Sequence, residues 1–224
     1  MNKMKLFWSV FFALGLVLLT LQSFAQRDPY KWPFAKRSIW NMPIHEDARY
    51  VDAEIEPPEV GSALLTDADY IVLKPDAPMT PIYTNYTRWE HYGNRCKKEG
   101  PLLFEAPMPD DFVVSPDNWL GETPNAGIAF LMPDRVTVKQ TQPFARCDTG
   151  GYATSRYEWQ EQSLYGDGIH GAHGGSSLSA IGGTIRLGEL VPGGKIRHAL
   201  KIIVHGAQFL YYDEETKGKR WPAR

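Results

Sequence analysis

Residues 127–142 read Gly-Ile-Ala-Phe-Leu-Met-Pro-Asp-Arg-Val-Thr-Val-Lys-Gln-Thr-Gln, and they decide the fold class. Gly127 to Met132 is apolar throughout and reads as a central strand. Arg135 to Gln142 alternates, with Val136 and Val138 on one face and Thr137, Lys139 and Thr141 on the other. A period of two is the mark of a half-buried strand. Pro133-Asp134 supplies turn chemistry between them, so the stretch predicts a hairpin.

The same reading extends in both directions. Tyr70 to Leu73 is short and apolar, and Ile82 to Tyr92 alternates loosely with many aromatics. Thr184 to Leu190 reads as a strand with Ile185, Leu187 and Glu189 on one face and Arg186 on the other. Val191-Pro192-Gly193-Gly194 is a turn, and Ile196 to His205 is the most apolar strand pattern of all, so these two are expected to pair. Gln208 to Tyr212 is a further strand candidate. Sustained helical periodicity is confined to the N-terminal apolar run. With 20 Gly and 17 Pro in 224 residues, turns are plentiful. The expected class is all-β, an antiparallel β-sandwich of jelly-roll-like form.

The N-terminus is not part of that fold. Lys3 and Lys5 precede an apolar run, Leu6 to Leu21, and Ser23-Phe24-Ala25 offers small residues for a signal peptidase. This predicts a signal peptide over residues 1–25 and export to the periplasm or outside the cell. Residues 26–58 then form an extended arm, because Pro29, Pro33, Pro43, Pro57 and Pro58 forbid regular helix. Its Trp32 and Trp40 are expected to pack on the domain, residues 59–224; a carbohydrate platform is the alternative. Cys96 and Cys147 are both exported, which favours a disulfide over two separate thiols. Asn85-Tyr86-Thr87 matches a glycosylation sequon.

The chain carries 24 basic and 26 acidic residues. Without Lys3 and Lys5 the net charge is about −4, which argues against nucleic acid as a partner. After signal cleavage no segment is apolar enough to hold the chain in a membrane. Neither a phosphate loop nor a dinucleotide fingerprint is present, so no cofactor is implied. G-x-S-x-G is absent around Ser176, Ser177 and Ser179.

The candidate chemistry lies in Tyr165 to Leu190, a glycine-rich stretch holding Asp167, His170, His173, Arg186 and Glu189. A histidine beside a carboxylate can act as a base near neutral pH. His170 and His173, three apart, could share a metal with Asp167, but the spacing matches no zinc signature and no metal is expected. A solvated surface loop is the plainer alternative. Arg186 is suited to a two-pronged grip on a carboxylate. Arg197 and His198 on the second strand, and Trp221 near the end, are candidate substrate-binding residues; a structural Arg197–Glu189 ion pair is the competing reading.

Four stretches in order, 38–44 (SIWNMPI), 173–190 (HGGSSLSAIGGTIRLGEL), 196–201 (IRHALK) and 220–223 (RWPA), resemble a largely uncharacterised group of secreted bacterial proteins with distant fungal relatives. The resemblance implies a secreted β-rich domain and carries no activity or catalytic residues. Such proteins continue past the Trp-Pro-Ala element, so the resemblance implies a domain incomplete at its C-terminus. The function expected is that of a secreted carbohydrate-active protein, a lyase or glycoside hydrolase acting on an extracellular polysaccharide. In a lyase, Arg186 would neutralise a uronate carboxylate and His170 or His173 would take the α-proton. In a glycosidase, Asp167 and Glu189 would form the carboxylate pair. A non-catalytic envelope or surface module binding glycan or protein, or an inactive fragment, is the alternative.

Overall fold

The computed structural model describes residues 28–50, 69–88, 93–116 and 120–202. The signal-peptide, Gln208–Tyr212 and Trp221 readings lie outside them. Among the described residues no helix is long and apolar enough to cross a membrane.

The chain is all-β and builds a sandwich of two sheets. The strands are β1 (Asp69–Val72), β2 (Met79–Thr84), β3 (Leu102–Pro107), β4 (Gly127–Leu131), β5 (Thr137–Gln142), β6 (Ala153–Ser155), β7 (Tyr157–Glu158), β8 (Gln162–Ser163) and β9 (His170–His173). The larger sheet runs β1-β4-β5-β7, with β8 also on β5; the smaller runs β3-β2-β6. Pairing is mixed, not purely antiparallel: β1 lies parallel to β4, and β2 parallel to β6.

The expected hairpin is β4–β5, antiparallel with Ile128 opposite Thr141 and Leu131 opposite Val138. Asp134 shapes its turn by accepting from the Val136 amide and from the amide and hydroxyl of Thr137. The apolar run of β4 has a direct cause. Ile128 and Phe130 face the smaller sheet and pack with Ile82, Phe104 and Ala153. Ala129 and Leu131 face the other way and, with Val138, meet Phe34, Trp40, Leu164, Ala180 and Ile181. A third layer, made of the arm and the glycine-rich stretch, therefore covers the outer face of the larger sheet.

Cys96 and Cys147 are joined, with Cα atoms 5.5 Å apart. Beside the bridge Arg146 is fully buried and donates to the carbonyls of Pro109, Phe112 and Gly151. Asn85, the sequon asparagine, is also buried and donates to the Lys97 carbonyl, so it is not available for modification.

Three strand expectations need correction. β2 ends at Thr84, well short of Tyr92. Neither Thr184–Leu190 nor the described part of Ile196–His205 is a strand, and no hairpin joins them among the described residues. Their backbone bonds are spent on turns and on other segments: Glu189 to Arg186, Gly194 to Val191, Ala199 to Trp40 and Lys201 to Gly183. The faces are also inverted. Arg186 points inward and is buried, while Ile185 and Leu187 are exposed, Leu187 at 85%.

Candidate functional site

The glycine-rich stretch is an ordered, folded element. Residues 169–179 turn back on themselves: Ser179 donates its amide to Ile169 and Gly171 to Ser177, around a short 3-10 turn at Gly174–Ser176. Two glutamines of β5 hold this turn to the sheet. Gln140 accepts from the amides of Ala172 (3.3 Å) and Ala180 (2.8 Å) and donates to the His170 carbonyl (3.3 Å). Gln142 accepts from the Gly174 amide at 2.7 Å. Residues two apart on a strand share a face, so both reach the same element.

The arm locks the stretch from the outside. Phe34 and Ala35 donate their amides to the carbonyls of Leu164 and Gly166. The Ser38 hydroxyl donates to the Asp167 carbonyl, and the Trp40 indole donates to Gly168. Trp40 then lies so close to Gly182 that any side chain there would enter the ring. The Trp40 carbonyl in turn receives the Ala199 amide, which brings residues 199–201 across the stretch. Residues from 38–44, 173–190 and 196–201 thus meet in one place.

At that place Asp69, His173 and Lys201 form a buried cluster. Lys201 Nζ donates to Asp69 Oδ2 at 2.7 Å and to the Ser179 carbonyl at 2.9 Å. His173 Nδ1 stands 2.8 Å from the same Asp69 Oδ2. That contact has ion-pair distance but not hydrogen-bond alignment, so His173 Nδ1 is buried without a hydrogen-bond partner, as is the other Asp69 oxygen, Oδ1. The side chains keep only 10% (His173), 13% (Asp69) and 9% (Lys201) of their surface exposed. Burial pushes the Lys201 ammonium below the ordinary lysine value, and the Asp69 charge opposes the shift without cancelling it. Gly127 makes room for the cluster, since a side chain there would strike Asp69 Oδ1 and the Ala172 carbonyl.

A second group lies between the arm and residues 186–198. Arg186 donates to Asn41 Oδ1 at 2.9 Å, and its guanidinium lies 4.8 Å from the Trp32 ring centre. Asn41 uses its amide on the carbonyls of Pro33, Phe34 and Ala35. Glu189 accepts from the Arg186 amide at 2.7 Å and faces His198 Nε2 at 3.0 Å. Burial alone would raise the Glu189 carboxyl. The Arg186 amide, the His198 ring and the nearby positive charge outweigh it and hold the carboxyl below its ordinary value.

The predicted site residues therefore divide. His173 enters the buried cluster. Arg186, Glu189 and His198 form the structural group that fastens the arm, and the partner of Glu189 is His198, not Arg197. A buried Arg186 bound to Asn41 and Trp32 is not presented to a substrate carboxylate. Asp167 is exposed and accepts the Ile169 amide, Arg197 is exposed, and Trp221 lies outside the described residues. His170 and His173 have an odd spacing on β9, which aims them at opposite faces. Among the described residues no three His, Cys, Asp or Glu side chains gather as a metal-holding group. Asp69 and Lys201, 132 positions apart, were not singled out from sequence. The available signal was one charged residue just before the apolar run Tyr70–Leu73 and one inside the run Ile196–His205, which is weak. No family model, curated protein or solved structure matches the chain.

Proposed function

We propose that the chain is an exported protein acting on an extracellular acidic polysaccharide, as a lyase rather than a glycoside hydrolase, with Asp69, His173 and Lys201 as its reacting group. The observation that carries this reading is the single buried carboxylate shared by a histidine and by a lysine of lowered pKa. Groups shifted by burial and a specific charge partner mark sites of proton transfer more often than ordinary surface does.

In this reading the Asp69 carboxylate stands 2.8 Å from Nδ1 of His173 and favours the imidazolium, while Nε2 takes the proton α to a uronate carboxyl. The electrons of that C–H bond become the new C=C bond, the β C–O bond breaks, and the leaving oxygen takes up a proton from solvent water. Lys201 has three donors and uses two within the fold. The third can meet the uronate carboxylate and stabilise the charge that develops on it. The hydrolase version has less support, because Asp167 and Glu189 are each committed to separate local contacts. The disulfide suits the oxidising compartment that export requires.

The test is incubation of the chain with a polyuronate and with a neutral glucan, following unsaturated ends by ultraviolet absorbance. The expected result is product from the polyuronate only, with His173→Ala slower by about 100-fold, the low end for a lost general base. Absence of unsaturated ends, or an unchanged rate in His173→Ala, contradicts the proposal. A non-catalytic surface module is the second reading; exposed tyrosines on the other side of the sandwich favour it, and it predicts binding with the polymer left intact.

A further inference from the structure

The β2–β6 side of the smaller sheet carries tyrosines and cations that neither core uses. Tyr83 and Tyr152 meet edge to face, with ring centres 5.8 Å apart. Lys98 Nζ lies 4.0 Å from the centre of the Tyr83 ring. Just past the ends of these two strands, Arg156 donates to the Tyr86 carbonyl and to the hydroxyl of Tyr157, the first residue of β7 in the larger sheet, and lies over the Tyr157 ring at 5.0 Å. Tyr83 is paired with Thr154 in the β2–β6 ladder, and Tyr86, Arg156 and Tyr157 lie beyond its end. Tyr86, Tyr152 and Tyr157 are exposed at 56%, 43% and 40%.

Exposed aromatics with an apolar face and a polar tip suit a partner that is flat on one side and hydroxylated at its rim. The cations beside them select negative charge; Glu99, which accepts the Tyr86 amide, is the acid in direct contact. We infer that this surface is a second binding site, remote from Asp69, that holds a chain of acidic polysaccharide by stacking its sugar rings on the tyrosines and pairing its carboxylates with Lys98 and Arg156. The class of polymer rests on the polysaccharide reading above; the site itself does not depend on chemistry at Asp69.

The experiment is affinity electrophoresis of the full chain in gels containing a polyuronate or a neutral glucan. The wild type is expected to be retarded by the polyuronate and not by the glucan. Tyr152→Ala and Lys98→Gln are each expected to weaken retardation at least about threefold, as loss of an exposed aromatic or cation–π contact implies, while His173→Ala keeps it. Lys98→Gln removes an exposed charge, so its effect does not depend on refolding. Equal retardation of wild type, Tyr152→Ala and Lys98→Gln, or retardation lost only in His173→Ala, overturns the second site. Product formation without any retardation also overturns it and leaves the lyase reading standing.

Discussion

Asp69 carries the largest share of the account. Its one oxygen faces both Lys201 and His173, so Asp69→Asn leaves a largely buried charged lysine without its carboxylate. Breaking such a pair from one side costs about 3 kcal/mol or more, and a urea melt of the variant is expected to show a loss of that size. Glu189 makes a pH prediction. Its folded carboxyl titrates below the ordinary value of 4.5, so it stabilises the fold fully above that value and loses the contribution as pH falls through the lowered one. The melting temperature is therefore expected to fall more steeply with acid in wild type than in Glu189→Gln; parallel curves would refute the assignment. Lys201 shifts in the same direction. The unfolded chain holds its proton to higher pH than the folded one, so stability from this group rises toward 10.5.

Gln140 decides whether the third layer stays on the sheet. It is fully buried and serves three backbone groups of residues 170–180. Gln140→Leu leaves these without partners, at about 1–3 kcal/mol for each buried group left unsatisfied. The expected result is a marked loss of stability together with faster hydrogen exchange at the Ala172 and Ala180 amides. Retained protection of those amides would show that the layer is held by something else. The β4–β5 hairpin was readable in the sequence because its alternation and its turn residues are local. Residues 184–202 were misread because strand-like composition does not supply a partner. The arm and the turns took their backbone bonds instead, and Arg186 went inward to meet Asn41 and Trp32. Gln140 and Asp69 escaped notice for a related reason: a single polar residue in a strand says nothing about which distant segment it holds.

The described residues form a two-sheet sandwich with a third, irregular layer, and a disulfide cross-links the chain. Cys96 and Cys147 close a loop spanning 51 positions, which the chain-entropy account values at about 4 kcal/mol. The Cys96→Ser, Cys147→Ser double variant, or the reduced protein, is expected to melt earlier by a corresponding amount; an unchanged melt would show that the bridge adds nothing. The central claim is that this architecture gathers Asp69, His173 and Lys201, from β1, β9 and residues beyond Gly194, into one buried site. The most direct test is the NMR titration of the Lys201 side chain in wild type and in Asp69→Asn. The account predicts a midpoint below the ordinary 10.5 in wild type and a lower one still in Asp69→Asn, because the opposing carboxylate is gone. A midpoint at the ordinary value in both proteins would contradict it.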